Sequence, residues 1–356
     1  MLKVLAAAGC VLVLAACDLS VAVPAASQTP AGSAAESPAA TLRVHLDVLL
    51  GEHVFAIAKL AIAATSGRQD EFHSYASLLA AGGADIDALF RTAIGETAGG
   101  RLGDAWAEQN NFLVDYLVAA ATHDDQASAA AASNLTGTYV PQAAAVLASS
   151  LSLSSDAATR LAADHVALLK TVIDDAVAAS FSQLFADIAA ARVQAVSFGD
   201  AIALQVSHLF ADRFPGDPSA TAAARRVNLN SLLQQQGYLM TAATDATIAG
   251  DEAQAAAASA SLGTYADQLA ALYGGALWSN EIPLVTGYAK SGDGSSRQSV
   301  LGAALPELLD AYGALLKVVD DQRGKQLAEV ATDDRAMANQ FAVAADAVST
   351  SPSPSS

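Results

Sequence analysis

Apolar residues recur at a helical spacing along nearly the whole chain, and no segment shows the period-two alternation of a half-buried strand. In the first such segment Leu42, Leu46, Leu49, His53, Ile57 and Leu60 fall on one stripe roughly 80° wide. A second stripe runs through Leu161, His165, Leu168 and Val172. The pattern predicts helices over 41–66, 69–81, 84–95, 102–123, 126–149, 155–178, 180–213, 219–249, 251–276, 298–322 and 325–347. Gly67, Gly82-Gly83 and Gly99-Gly100 read as helix stops, and Asp156 and Asp217 as N-caps. The run Phe214-Pro215-Gly216-Asp217-Pro218 forbids helix continuation. The expected fold class is all-α.

That break separates two similar halves. RVHLDVLL at 43–50 matches RVNLNSLL at 226–233, an offset of 183 that also pairs Gly67 with Gly250 and Leu79 with Leu262. ALLK at 167–170 recurs at 314–317, an offset of 147, so the second copy is shorter between these landmarks. A repeat of this length is bundle-sized, which predicts two tandem, degenerate repeats of an antiparallel helical bundle, over 41–214 and 217–348. Residues 17–40, rich in Ala, Ser and Pro, read as a flexible linker, and 349–356 (STSPSPSS) as a disordered tail.

Composition adds exclusions. The chain is 53% hydrophobic, enough for a real core, and its abundant alanine favours helix. Eighteen basic against thirty-six acidic residues give a net charge of −18, which argues against nucleic acid as a partner. Residues 1–16 combine Lys3 with an apolar run too short to span a bilayer comfortably, and so read as an export signal. The run ends in Leu14-Ala15-Ala16-Cys17, which resembles a bacterial lipobox. That resemblance implies a lipidated, palmitate-bearing Cys17 and a location on the outer face of the cytoplasmic membrane or at the cell surface. Cleavage there also removes Cys10, leaving no free thiol for catalysis, metal binding or a disulfide.

No phosphate-binding glycine loop, His-Glu-x-x-His, Gly-x-Ser-x-Gly or Cys-x-x-Cys is found. The expected function is therefore a non-enzymatic binding or scaffolding module, tethered to the membrane and open to an envelope protein partner. The histidines offer an alternative. His53 and His165 centre their stripes, each preceded by a carboxylate, Glu52 or Asp164, with His45 two helical turns before Glu52. Imidazoles facing a helical core could ligate a divalent metal such as copper or zinc, with Glu52, Asp164 or His45 completing the shell. Equally, each is a packed core residue with one hydrogen bond satisfied. In the second copy His45, Glu52 and His53 become Asn228, Gln235 and Gln236, and His165 becomes Tyr312. Asp70-x-x-His73 has no second such motif to complete a di-iron site, and His73, His123 and His208 read as surface residues.

LRVHLDVLLGEH at 42–53, NFLVDY at 111–116, YVP at 139–141 and DHV at 164–166 together resemble exported bacterial proteins built of tandem helical repeats, some labelled copper amine oxidase-like. The resemblance implies further histidines in two stretches where this chain has Gln109-Asn110-Asn111 and Arg192-Val193-Gln194. It implies no oxidase, because such enzymes form their quinone from a tyrosine in Asn-Tyr-Asp/Glu within a β-rich fold, and this chain has no Asn-Tyr.

Overall fold

The computed structural model describes residues 34–273 and 277–350, and the fold is all-α, with no strand among the described residues. The expected signal (1–16), Cys17, most of the linker and residues 351–356 lie outside the described residues. The first half comprises α1 (Pro38–Thr65), α2 (Gln69–Ile94), α3 (Glu96–Ala121), α4 (Asp125–Asn134), a π-turn (Leu135–Tyr139), α5 (Val140–Leu151), α6 (Ser155–Val177) and α7 (Phe181–Leu209). The second comprises α8 (Thr221–Ala249), α9 (Glu252–Tyr273), α10 (Leu277–Ser291), α11 (Gly294–Ala303), a 3-10 turn (Pro306–Leu308), α12 (Leu309–Gly324) and α13 (Val330–Thr350). The first residues of α8 and α9 correspond to those of α1 and α2 at the first sequence offset, and the last residue of α12 corresponds to that of α6 at the second.

Each half is built round one central helix. Helix α1 packs on α2, α6 and α7, α8 packs on α9, α10, α12 and α13, and the two central helices pack on each other. Across the seam α2 meets α13 while α7 meets α9, so each half offers the other the same pair of surfaces. Reciprocity extends to single atoms. Arg43 forks onto Asp200 and donates to the Pro218 carbonyl at 2.8 Å; Arg226 forks onto Asp346 and donates to the Ala35 carbonyl at 3.0 Å. Arg226 corresponds to Arg43, and Pro218 to Ala35, at the same offset that pairs RVNLNSLL with RVHLDVLL. Each arginine thus clamps the segment that leads into the other half's central helix, the self-complementary pattern that a two-fold relation produces. One continuous core runs through both halves.

The seam changes the character of the central helices. A one-sided stripe predicts a wet face on α1, yet Leu50–Ala63 are all buried, as are Leu232–Ala246 of α8. The other half covers the face that a lone bundle would leave wet. This accounts for the hydropathy of α1, which by length and composition would suffice to cross a membrane although 78% of its most apolar window is buried inside the protein. Four polar residues are enclosed with it: Asp47, Glu52, His53 and Lys59.

Several local expectations are corrected. Gly82-Gly83 stop nothing, since α2 runs through them to Ile94. A Cβ on Gly82 would sit 2.9 Å from Glu52 Oε1, and one on Gly83 3.1 Å from Asn110 Nδ2, so the pair lets α1 and α3 approach closely. Gly99-Gly100 likewise lie inside α3, tight against Arg91; the chain turns at Gly95, φ 88°. Ser154, not Asp156, caps α6, and Asp217 forms a turn onto Ser219 while Ala220 takes the α8 cap position. Helix α10 has no counterpart among the expected helices, because Pro283 lies inside it. At the N-terminal edge Ser37 accepts from the Ala40 amide and Pro38 opens α1, so the last residues assigned to the linker are helical. At the other end α13 reaches Thr350, just inside the assigned tail.

Candidate functional site

The two stripe-centre histidines meet. The rings of His53 on α1 and His165 on α6 lie 5.5 Å apart, nearly stacked, with Trp106 of α3 at 4.9 Å from the first and 5.3 Å from the second. Phe198 of α7 closes the far side, stacked on His165 at 5.6 Å. His53 Nε2 is 2.8 Å from Asn110 Oδ1, and His165 Nδ1 is 2.9 Å from Gln194 Oε1. An amide oxygen only accepts, so each of these ring nitrogens carries the proton. Burial lowers the pKa of His53 to about 3, assisted by His165, and that of His165 to about 4. Both are neutral at physiological pH.

The metal shell expected around them is not assembled. Glu52 turns away to Arg335 at 3.0 Å, Asp164 is exposed on α6, and His45 lies exposed on the rim of a separate cleft. Among the described residues no three His, Cys, Asp or Glu groups gather as a metal site would need. Asn110 and Gln194, which bond the histidines, fall within the two stretches where the resemblance implied more imidazoles. Amides there give a hydrogen-bonded core and remove two nitrogen donors. His53 Nδ1, His165 Nε2 and Trp106 Nε1 remain buried without a protein partner.

The second half has a cluster at the corresponding place with different chemistry. Gln236 of α8 donates to Glu281 of α10 at 3.4 Å, and Tyr312 of α12 donates to the same carboxyl. Phe341 packs edge-on against Tyr312 at 5.5 Å, and its spacing from Tyr312 along the chain equals that of Gln194 from His165. Burial raises the pKa of Glu281 to about 7, partly offset by the Tyr312 bond. Sequence reasoning did not find Glu281, because Pro283 hides its helix.

Two open clefts lie at the seam and correspond to each other. The larger, ≈ 760 Å³, lies between α7, α8 and α9; the smaller, ≈ 390 Å³, between α1, α2 and α13. Asn228, Ser231, Leu232 and Gln268 of the larger are the repeat equivalents of His45, Val48, Leu49 and Asp85 of the smaller, all at the first offset. On the third wall Arg192 of α7 corresponds to Asn339 of α13 at the second offset. The small cleft's acid, Asp85, is paired with Arg335. In the large cleft the charged wall residue is Arg192, only 3% exposed. It donates to Gln234 Oε1 at 2.8 Å and to the Ser231 hydroxyl and carbonyl at 2.7 and 2.9 Å. Gly51 of α1 makes room for it, since a Cβ there would fall 1.4 Å from one guanidinium nitrogen. No residue of this cleft stands out as a site in the sequence; a glycine in the middle of the apolar α1 was the available signal.

A separate buried ion network lies across the seam. Lys59 reaches Glu71 at 2.9 Å and Asp245 at 2.6 Å, and Arg68 reaches the same two acids at 3.0 and 2.6 Å. Two cations against two carboxylates, each acid shared, is a balanced arrangement that needs no outside ion.

Compared with family models, with curated proteins and with solved structures, the chain matches none.

Proposed function

We propose that this chain is a non-enzymatic, membrane-tethered envelope module that binds a small, largely apolar molecule in the cleft between α7, α8 and α9. The observation that carries the reading is that cleft itself: at ≈ 760 Å³ it falls within the range of small-molecule sites, and half of its eighteen lining residues are Ala, Val, Leu or Phe, with a few polar groups among them. Val193, the most exposed large hydrophobic among the described residues at 69%, stands on its wall. The histidine pair is core in this reading, with neither a shell for copper or zinc nor an open face. Tethering rests on the lipobox-like segment at Cys17, which would bring the cleft near a membrane surface with a protein partner or a lipid-derived ligand within reach.

The test is binding of a neutral, environment-sensitive dye such as Nile red to the full chain. Saturable fluorescence is expected, and Ala260→Trp, an exposed substitution on the cleft wall, should abolish it. Binding that persists in the Trp variant puts the dye elsewhere and removes the reading. For the tether, Cys17→Ser should move the protein from the membrane to the soluble fraction; unchanged membrane association defeats the lipid anchor.

A further inference from the structure

Arg192 presents an unbalanced charge. Among the described residues no ion pair reaches it; its three hydrogen bonds go to the neutral oxygens of Gln234 and Ser231. The other buried cation among the described residues, Lys59, has two carboxylates, Glu71 and Asp245. Arginine stays protonated in proteins, so a guanidinium 3% exposed with no counter-ion is an uncompensated buried charge. Asp47 is the one carboxyl with a charge interaction at Arg192, and burial, helped by the like charge of Asp200 and only partly offset by Arg43 and Arg192, pushes its pKa well up, towards the neutral form.

The comparison with the smaller cleft adds a second line. There the rim carries Asp85 with its own arginine; in the larger cleft that position is Gln268 and the His45 position is Asn228. The larger cleft therefore has a cation at its floor, amides at its rim and walls of small apolar side chains mixed with hydroxyls, and none of its lining residues is acidic. On a chain of net charge −18, a local site of this kind selects what enters it by contact more than by long-range attraction.

We infer that the cleft takes a single-chain amphiphile with an anionic head, its carboxylate or phosphate seated at Arg192 and Ser231 and its apolar chain along Val193, Val196 and Leu232. Carboxylate and phosphate are both matched by a guanidinium fork, and a charge-assisted bond of this type is worth about ten- to hundredfold in affinity. This inference rests on the cleft being a binding site, as proposed above.

The experiment titrates the full chain with decanoate, decyl phosphate and decanol below their micelle concentrations, using calorimetry. The anionic probes are expected to bind at least about tenfold tighter than decanol. Arg192→Met should remove that preference while leaving decanol binding intact, and Gln268→Glu with Asn228→Asp, both at exposed rim positions, should weaken only the anions. Equal binding of both anions makes the head site indifferent to source, whereas preference for one separates a free fatty acid from a phosphorylated lipid; each supports the inference. If decanol binds as well as decanoate the anionic head is overturned, and if Arg192→Met keeps the preference its seat at Arg192 is overturned; the cleft reading survives either result. Failure of all three probes to bind overturns both.

Discussion

The two halves share a plan and differ in what they enclose. Both surround a central helix whose middle is buried on every side, and both clamp the other with an arginine. At the corresponding core position the first encloses two neutral imidazoles bonded to amides, and the second an amide and a phenol bonded to one carboxyl. Of the two corresponding clefts at the seam, the smaller has an acid paired with an arginine, and the larger a buried cation held only by neutral oxygens. The lesson is that packing is held constant while buried polarity is exchanged. Shape alone is satisfied by several polar sets, provided each donor finds an acceptor. Chemistry peculiar to one copy of a repeated position is therefore where function is to be sought, and the large cleft's Arg192, which has no ion pair among the described residues, is the charged example.

The sharpest break of the comparison is at the buried ion network, which has no copy. At the first offset Lys59 corresponds to Ala242, and Glu71 to Gln254. Asp245→Ala should destabilise the chain by about 3–5 kcal/mol, because it leaves Lys59 and Arg68 sharing one acid in a buried setting. Urea unfolding measures this. A loss below about 1 kcal/mol would mean that water reaches the network and screens it.

Legibility in the sequence followed the same division. Helical period placed most helices and set His53 and His165 at the centres of their stripes, since burial on one face leaves a mark every third or fourth residue. It also paired the halves, because the landmarks RVHLDVLL and ALLK survive. What it missed were roles that depend on a partner distant in sequence. Gly82-Gly83 has the same appearance whether it ends a helix or admits Glu52 and Asn110, and only the neighbours decide. Arg192 looks like any surface arginine until Gly51, far off at the middle of α1, is seen to make its hole. Glu52 and Asp164, adjacent to the two histidines in sequence, belong on other sides of their helices, so nearness along the chain was a poor guide to a shared shell.

The two core clusters also predict opposite responses to pH. His53 and His165 have pKa values lowered to about 3 and about 4 in the fold, against an ordinary 6.5. As pH falls below 6.5 the unfolded chain takes up protons that the fold refuses, so their contribution is full above 6.5 and lost towards pH 4. Glu281 has its pKa raised to about 7 from an ordinary 4.5, so its contribution is full below 4.5 and lost as pH rises towards 7. Relative to the parent, Glu281→Gln should become progressively more stable from about pH 4.5 to 7.5, by roughly 3 kcal/mol over that range. His53→Gln with His165→Gln should show the reverse slope, gaining on the parent as pH falls from 6.5 to 4. Urea midpoints at four pH values across the range give both slopes, and parallel profiles for parent and variants would contradict the assignment.

The smallest effect tests the reciprocity itself. Arg43 and Arg226 are 15% and 11% exposed at their side chains, but their acids are more open, at 35% and 44%, so solvent screening limits each clamp. Arg43→Ala and Arg226→Ala should each remove about 1 kcal/mol, a two-pronged carboxylate contact together with one carbonyl bond across the seam, to which Arg226 adds a long bond of 3.3 Å to the Thr41 hydroxyl. The losses should be equal within error, and each variant should still unfold in a single transition, because either clamp alone joins both central helices. A second transition in one variant would show that its half separates from the other, and the two clamps would then differ in function despite the matching atoms.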